Sequence, residues 1–359
     1  MANPLLTPIS RRAALAAGSL GAAGALLGGA VRTAQAQSAA PAVGHVHDGY
    51  GNLVVGTVDY AANGFDPHAV LTDFDFGQIV TDADGRRVRE WRITAVDKEI
   101  EIAPGVFFPA WTYNGRIPGP TLRAMEGELL RIRFTNAGEH PHSMHFHGIH
   151  AARFDGVPGA GQVEPGAMFT YQFEAKPFGC HLYHCHTLPL RRHIHKGLYG
   201  AFIIDPDPDR HPAEREAAAA RRFGSPEHAD WQEFIMVMNG FDTNFDDENE
   251  FYAVNSIPFA YFQQAIPIDR ARPVRIYLVN LTEFDPINSF HLHANFFNYF
   301  DHGTTLTPTL RTIDTVMQCQ AQRGILEFSF ADHEPGLYMF HAHQTEFAEL
   351  GWMSHFQVT

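Results

Sequence analysis

The chain has 359 residues, a formal charge of −14 and only 18% charged side chains. That length supports two domains with sizeable cores, and the acidic balance argues against nucleic acid or an anionic membrane surface as a partner. Plentiful Gly and Pro with 29 Phe fit a turn-rich all-β protein, while 22 His, many of them clustered, point to transition metals.

In chain order, residues 1–36 read as a targeting segment. Ser10-Arg11-Arg12 precedes an apolar run from Ala13 to Val31, and Ala34-Gln35-Ala36 offers a small-residue cleavage site. The paired arginines resemble a twin-arginine export signal, which predicts a periplasmic or secreted protein. A retained membrane anchor is the alternative, but the Gly- and Ala-rich run ends at Arg32 and leads into the cleavage motif. The segment holds three Arg and no acid, so its removal leaves the remainder at −17.

Residues 37–85 are Gly- and Asp-rich with few strand signals and read as an irregular arm, with His45 and His47 as exposed side chains. Residues 86–205 contain short apolar runs such as ELLRIRFTN, MFTYQFEA and GLYGAFIID, separated by turn signals such as Asn114-Gly115. They predict one β-sandwich. Residues 206–230 open with PDPDRHP, continue into a short predicted helix, AEREAAAARR, and read as a linker. Residues 231–359 predict a second sandwich. Cys180 and Cys319 are expected as free buried thiols, although an oxidising compartment would permit a pair.

The two predicted sandwiches repeat one another. An early His-x-His pair in each, His145–His147 and His291–His293, is matched by a late pair, His184–His186 and His341–His343. On a strand both histidines of such a pair share a face. Eight of them could hold three metal ions, three each for two ions and two for the third.

In His184-Cys185-His186 the cysteine points away from its neighbours. His142, three residues before His145, has the same relation to the early pair. His142, Cys185 and a downstream histidine can therefore meet as a mononuclear two-His, one-Cys site of the blue-copper type. Asn288 and Ala342 stand at the corresponding positions of the second repeat, so this site is expected once per chain.

The segments HSMHFHGIH at 142–150, YHCH at 183–186, FHLH at 290–293 and FHAH at 340–343 together resemble the two-domain multicopper oxidases, the laccase-like group with its type 1 copper in the first domain. The resemblance covers about residues 86–359. It implies two cupredoxin-like Greek-key β-sandwich domains and four coppers per chain: one type 1, one type 2 and two type 3. By position, His145 and His291 would bind type 2 copper, and His147, His184, His186, His293, His341 and His343 the type 3 pair. Related copper nitrite reductases place the second type 1 histidine five residues before the axial ligand, ahead of a Gly-Ala strand. Leu198 fills that axial position, before Gly200-Ala201, which selects His193 over His195. His140, His150 and His181 flank these sites without an assigned role. Asp155, in DGVPG, matches the family's acidic residue near the cluster, and Glu346 is a second proton-handling candidate.

The implied reaction takes single electrons from a small reducing substrate, phenol-like or a metal ion, at the edge of His193. They pass through Cys185 to His184 and His186, and O2 is reduced to water. The resemblance also implies a homotrimer with clusters at subunit interfaces. Copper-containing nitrite reductase is the competing enzyme reading, but a carboxylate is expected there where His145 stands. A non-catalytic copper-binding or storage protein is the third reading, and the nine scattered Met form no tract that would support cuprous handling.

Overall fold

The structure, a computed structural model, describes residues 56–359. The expected export signal and His45 and His47 lie outside the described residues. No helix among the described residues is long and apolar enough to cross a membrane.

The described part of the expected arm is built structure. Two short helices, α1 (Tyr60–Asn63) and α2 (Pro67–Val70), are capped by Asp59 and Asp66, whose carboxylates accept backbone N–H bonds. Strand β1 (Phe74–Asp75) pairs in parallel with β5 (Thr121–Met125), and β2 (Gln78–Thr81) pairs antiparallel with β3 (Arg87–Ala103). Phe65, Val70 and Leu71 are buried, and the Leu71 carbonyl accepts from Ile235 N. Elements of two to four residues are too short to show a hydrophobic period, so composition read as an irregular arm where the chain docks.

One sheet of the first sandwich runs β2-β3-β6-β8, with β4 (Val106–Tyr113) also on β3, β6 spanning Leu129–Asn136 and β8 Met168–Glu174. The facing sheet runs β1-β5-β10-β9-β7, with β7 at His145–Phe146, β9 at Gly179–His184 and β10 at Tyr199–Asp205. The chain changes sheet after β1 and after every strand from β4 to β8, so β6 and β8 pair while β7 lies opposite. A six-residue helix, α3 (Leu190–His195), follows β9.

Residues 206–230 are docked rather than extended. Helix α4 (Arg215–Arg221) coincides with the expected helical segment and buries Ala218, Ala219 and Arg221. Beneath it lies a charged cluster. Arg123 of β5 is fully buried, donating to Asp205 at 2.9–3.1 Å and to Glu233 at 2.5 Å. Glu233 also accepts from Arg275 Nη1 at 2.9 Å and the Tyr277 hydroxyl at 2.8 Å. Arg275 and Arg221 both reach Glu327. Buried charges persist only when paired and hydrogen-bonded, and this cluster ties the first sandwich, the connector and the second sandwich together.

In the second sandwich one sheet is β12-β11-β14-β19-β16-β17 and the other β13-β21-β20-β15-β18. The ranges are β11 Gln232–Phe241, β12 Phe251–Val254, β13 Ile266–Ile268, β14 Val274–Asn280, β15 Ile287–Leu292, β16 Phe297–Asp301, β17 Leu310–Ile313, β18 Thr315–Cys319, β19 Arg323–Phe328, β20 Gly336–His341 and β21 Met353–Val358. Helices α5 (Ala260–Gln263) and α6 (Thr345–Glu349) lie before β13 and β21. The fold class is therefore all-β, as composition predicted.

Strand alternation sorts β9 between two cores. Tyr183, and Cys185 just beyond the strand, pack inside the first sandwich. Cys180 and Leu182 join an apolar core that continues into the second sandwich through Ile235, Val237, Tyr299 and Ile325. Cys180 is buried as expected, but Cys319 is exposed. At the end of β18 its Cβ faces out, against the expectation of a buried thiol.

Candidate metal centres

Strand β9 delivers Cys185 into the sandwich, and α3 carries His193 back toward it. Cys185 Sγ lies 3.2 Å from His193 Nδ1 and 4.0 Å from His142 Nδ1, and the two Nδ1 atoms are 3.2 Å apart. Donors held about 2.0–2.3 Å from one first-row ion stand roughly 3.3–3.7 Å apart, so this triangle fits a single metal. All three side chains are buried. Burial, followed by the neighbouring imidazoles, lowers His142 to about 4 and His193 to about 3, leaving both as the neutral rings that bind metal. Burial pushes the Cys185 thiol up, against hydrogen bonds from Thr187 and Ser143, so a thiolate here requires a cation beside it. Leu198 is buried with Cys185; its carbonyl accepts from Cys185 N and its N–H donates to the His193 carbonyl.

His195 does not approach the triangle. It is buried against Phe108 and Phe284 and accepts from Asp242 N at 3.0 Å. Two residues, about half a helical turn, separate two roles: His193 faces the first-sandwich core and His195 the second sandwich. The expected electron entry at the edge of His193 meets an obstacle, because His193 is 2% exposed. Trp111 of β4 lies on it, with ring centroids 4.8 Å apart.

Two all-imidazole clusters occupy equivalent places in the two sandwiches. In the first, His147 Nε2 and His184 Nε2 face each other at 2.8 Å, with His145 alongside. In the second, His293 Nε2 and His341 Nε2 are 2.9 Å apart, with His291 alongside. The backbone sets the tautomers in parallel. His184 Nδ1 bonds the Cys185 carbonyl and His341 Nδ1 the Ala342 carbonyl, while His145 and His291 use Nδ1 for the Asp155 and Asp314 carbonyls. An Nδ1–H held by a carbonyl leaves the Nε2 lone pair free, the usual preparation of a metal-binding histidine. Burial, followed by nearby imidazoles, lowers His147 to about 2, and burial takes His184 to about 3.

His186 and His343 complete the sets at ring distances of 4.9 Å from His145 and 5.2 Å from His291. Their backbone N–H groups donate to Ser143 and Ser289. That serine pair was missed in the sequence, although each follows His142 or its counterpart Asn288. Asn288 instead bonds Thr282, and Ala342 is buried in the apolar core, which closes the second sandwich to a mononuclear centre.

The clusters differ in exposure. His293 and His343 are exposed, whereas His184 is buried. Among the described residues no ring of one cluster contacts a ring of the other.

Asp155 stands where the sequence placed it, with Oδ1 3.1 Å from His145 Nδ1 and 3.6 Å from His150 Nε2. Glu346 does not. It sits exposed in the first turn of α6, and no hydrogen bond or ion pair joins it to a histidine among the described residues. Helix α6 turns outward after His343, taking the carboxylate with it.

Two family models, each described as multicopper oxidase, match residues 95–209 and 232–359. A crystal structure of a multicopper oxidase is 54% identical, covers 84% of this chain and all of its own, and superposes with a TM-score of 0.75. A copper-containing nitrite reductase of Neisseria meningitidis is 32% identical over 117 residues, 32% of this chain and 30% of its own length. A copper resistance protein A homolog of Pseudomonas syringae pv. tomato is 35% identical over 137 residues, 37% of this chain and 23% of its own length. The matched segments thus span less than a third of these curated relatives. The paired domain matches, the full-length likeness and three donor clusters arranged for metal lead to one assignment: the chain belongs to the multicopper oxidase family.

Proposed function

We propose that this chain is a copper-dependent oxidase that couples one-electron oxidation of a small reducing substrate, phenol-like or a metal ion, to four-electron reduction of O2 to water. The observation that carries the reading is the covalent position of Cys185. Its sulfur belongs to the mononuclear triangle, and its peptide neighbours His184 and His186 belong to the first imidazole cluster. Copper, when bound, supplies the one-electron and oxygen chemistry.

The chain's own residues divide the remaining work. His142, Cys185 and His193 would hold type 1 copper, with the Leu198 side chain buried in the same core as Cys185. His145 and His291 would hold type 2 copper, and His147, His184, His186, His293, His341 and His343 the type 3 pair, giving four ions per chain. Asp155 holds a carboxylate at His145 Nδ1, where it can take up or release protons for the oxygen chemistry.

A homotrimer belongs to the same reading. Each sandwich supplies four of the eight assigned imidazoles, the second set is open to solvent, and the strands bearing it, with neighbouring β18, expose Ile287, Leu337 and Met317. A second copy would cover this surface and complete the donor set. Export to the periplasm, expected from the first 36 residues, completes the proposal.

The nitrite reductase reading draws on the matches to enzymes of that name. Metal analysis with oxygen uptake separates the possibilities. Four coppers per chain and oxygen consumption with a phenol support the oxidase. Two coppers with nitrite turnover support the reductase, and bound copper without turnover supports storage.

A further inference from the structure

We infer that Trp111 is the electron-entry residue: an aromatic reductant stacks on its indole instead of touching a ligand histidine. This rests on reading His142, Cys185 and His193 as the electron-accepting copper site.

His142 is 0% and His193 2% exposed, so neither ring offers a donor a face or an edge. Electron transfer falls steeply with separation, so a donor must use whatever group both reaches solvent and touches those rings. Trp111 is half-buried, and its ring centroid lies 4.8 Å from that of His193 and 5.2 Å from that of His142. These are contact distances for aromatic rings. The exposed His140 ring packs on the same indole at 4.8 Å, and Lys196 Nζ lies 5.5 Å from its centroid.

Trp111 is also held in place. Its backbone N–H donates to the Lys196 carbonyl, just past α3, and Lys196 Nζ donates to the Pro109 carbonyl on the Trp111 strand. The strand that carries the indole is therefore tied to the end of the helix that carries His193, and the ring itself packs between His140, His142 and His193. The other tryptophans cannot substitute: Trp91 and Trp352 are buried, and Trp231 lies against Arg275 in the second sandwich.

In the step itself a phenol loses one electron and one proton. The proton goes to water, and the electron reduces copper(II) to copper(I) at the buried triangle. Trp111 is a contact surface and electronic bridge, and is not itself oxidised. A flat aromatic donor gains ring stacking, whereas a hydrated inorganic reductant gains none.

The test compares parent, Trp111→Phe and Trp111→Leu holoenzymes, following anaerobic bleaching of the blue band by 2,6-dimethoxyphenol and, separately, by ferrocyanide. Loss of one aromatic pair predicts that Trp111→Leu raises the half-saturating phenol concentration by about tenfold. Ferrocyanide should change by much less, Trp111→Phe should lie between, and the blue band should stay in place. In copper-free protein the same phenol should quench tryptophan fluorescence in the parent but not in Trp111→Phe. Equal loss with both donors, or unchanged phenol saturation and equal quenching, overturns the inference. A copper-loaded parent with no blue band instead overturns the reading on which it rests.

Discussion

Replacing Arg123 by methionine tests whether the charged cluster under α4 holds the two sandwiches together. The guanidinium is fully buried between Asp205 and Glu233. Burial alone would lower its pKa, but Asp205, Tyr277 and Glu233 outweigh that and hold it well above the ordinary value. Without Arg123, Glu233 keeps Arg275 and the Tyr277 hydroxyl. Among the described residues the Asp205 carboxylate then keeps only the Phe223 N–H, at 3.0 Å. One buried carboxylate is stranded, and breaking a buried pair from one side costs about 3–5 kcal/mol. Urea unfolding followed by near-ultraviolet dichroism gives the value, provided a single transition is seen. Adding Asp205→Asn to Arg123→Met should recover on the order of 2 kcal/mol, because it removes the stranded charge. A loss below about 1 kcal/mol for Arg123→Met, or no recovery in the double variant, would refute this account.

Other outcomes follow from the same geometry. Cys185→Ser should abolish the blue band and donor oxidation together, whereas His341→Ala should keep the blue band and stop oxygen uptake; equal loss of colour in both would contradict the division of labour. Leu198→Met nearly conserves volume and brings a thioether beside Cys185, so redox titration should show a lower type 1 potential, and an unchanged one removes Leu198 from the site. For Glu233, burial would raise the pKa, but Arg123, His228 and Arg275 together hold it well below the carboxylate range. A depressed acid contributes stability above its unfolded value of about 4.3 and loses it as pH falls toward the folded value. The stability gap between parent and Glu233→Gln, measured by urea unfolding at stepped pH, should therefore narrow as the medium is acidified from neutral, and a constant gap would show that the charge is not what stabilises.

Most of the site was legible because strand alternation is a strong local rule. Given His-x-His in four places, the faces follow, and the clustering of His147 with His184 and of His293 with His341 needs only that the strands pair. His193 was reachable by spacing from Leu198. Trp111 was not, because nothing in the order of β4 says which distant ring it will meet. The orientation of Glu346 was not legible either, because strand alternation ends where the chain enters a helix after His343. The role of residues 56–85 was hidden by their brevity, and Arg123 and Glu233 gave no signal because a charge reads as surface until its partners are known.

The sequence repeat suggests two modules, yet the continuous apolar core between them has a different implication for how such a chain can be made or divided. Cys180, Leu182 and Ile203 on one side pack in the same core as Ile235 and Ile325 on the other. A fragment beginning near Trp231 would present Val237, Tyr299 and Ile325 to water as a broad sticky face. During synthesis the first half must wait, with its own half of that face uncovered, until the second emerges. The shared core thus makes the pair, not the single sandwich, the unit expected to stay soluble when the chain is expressed, shuffled or grafted.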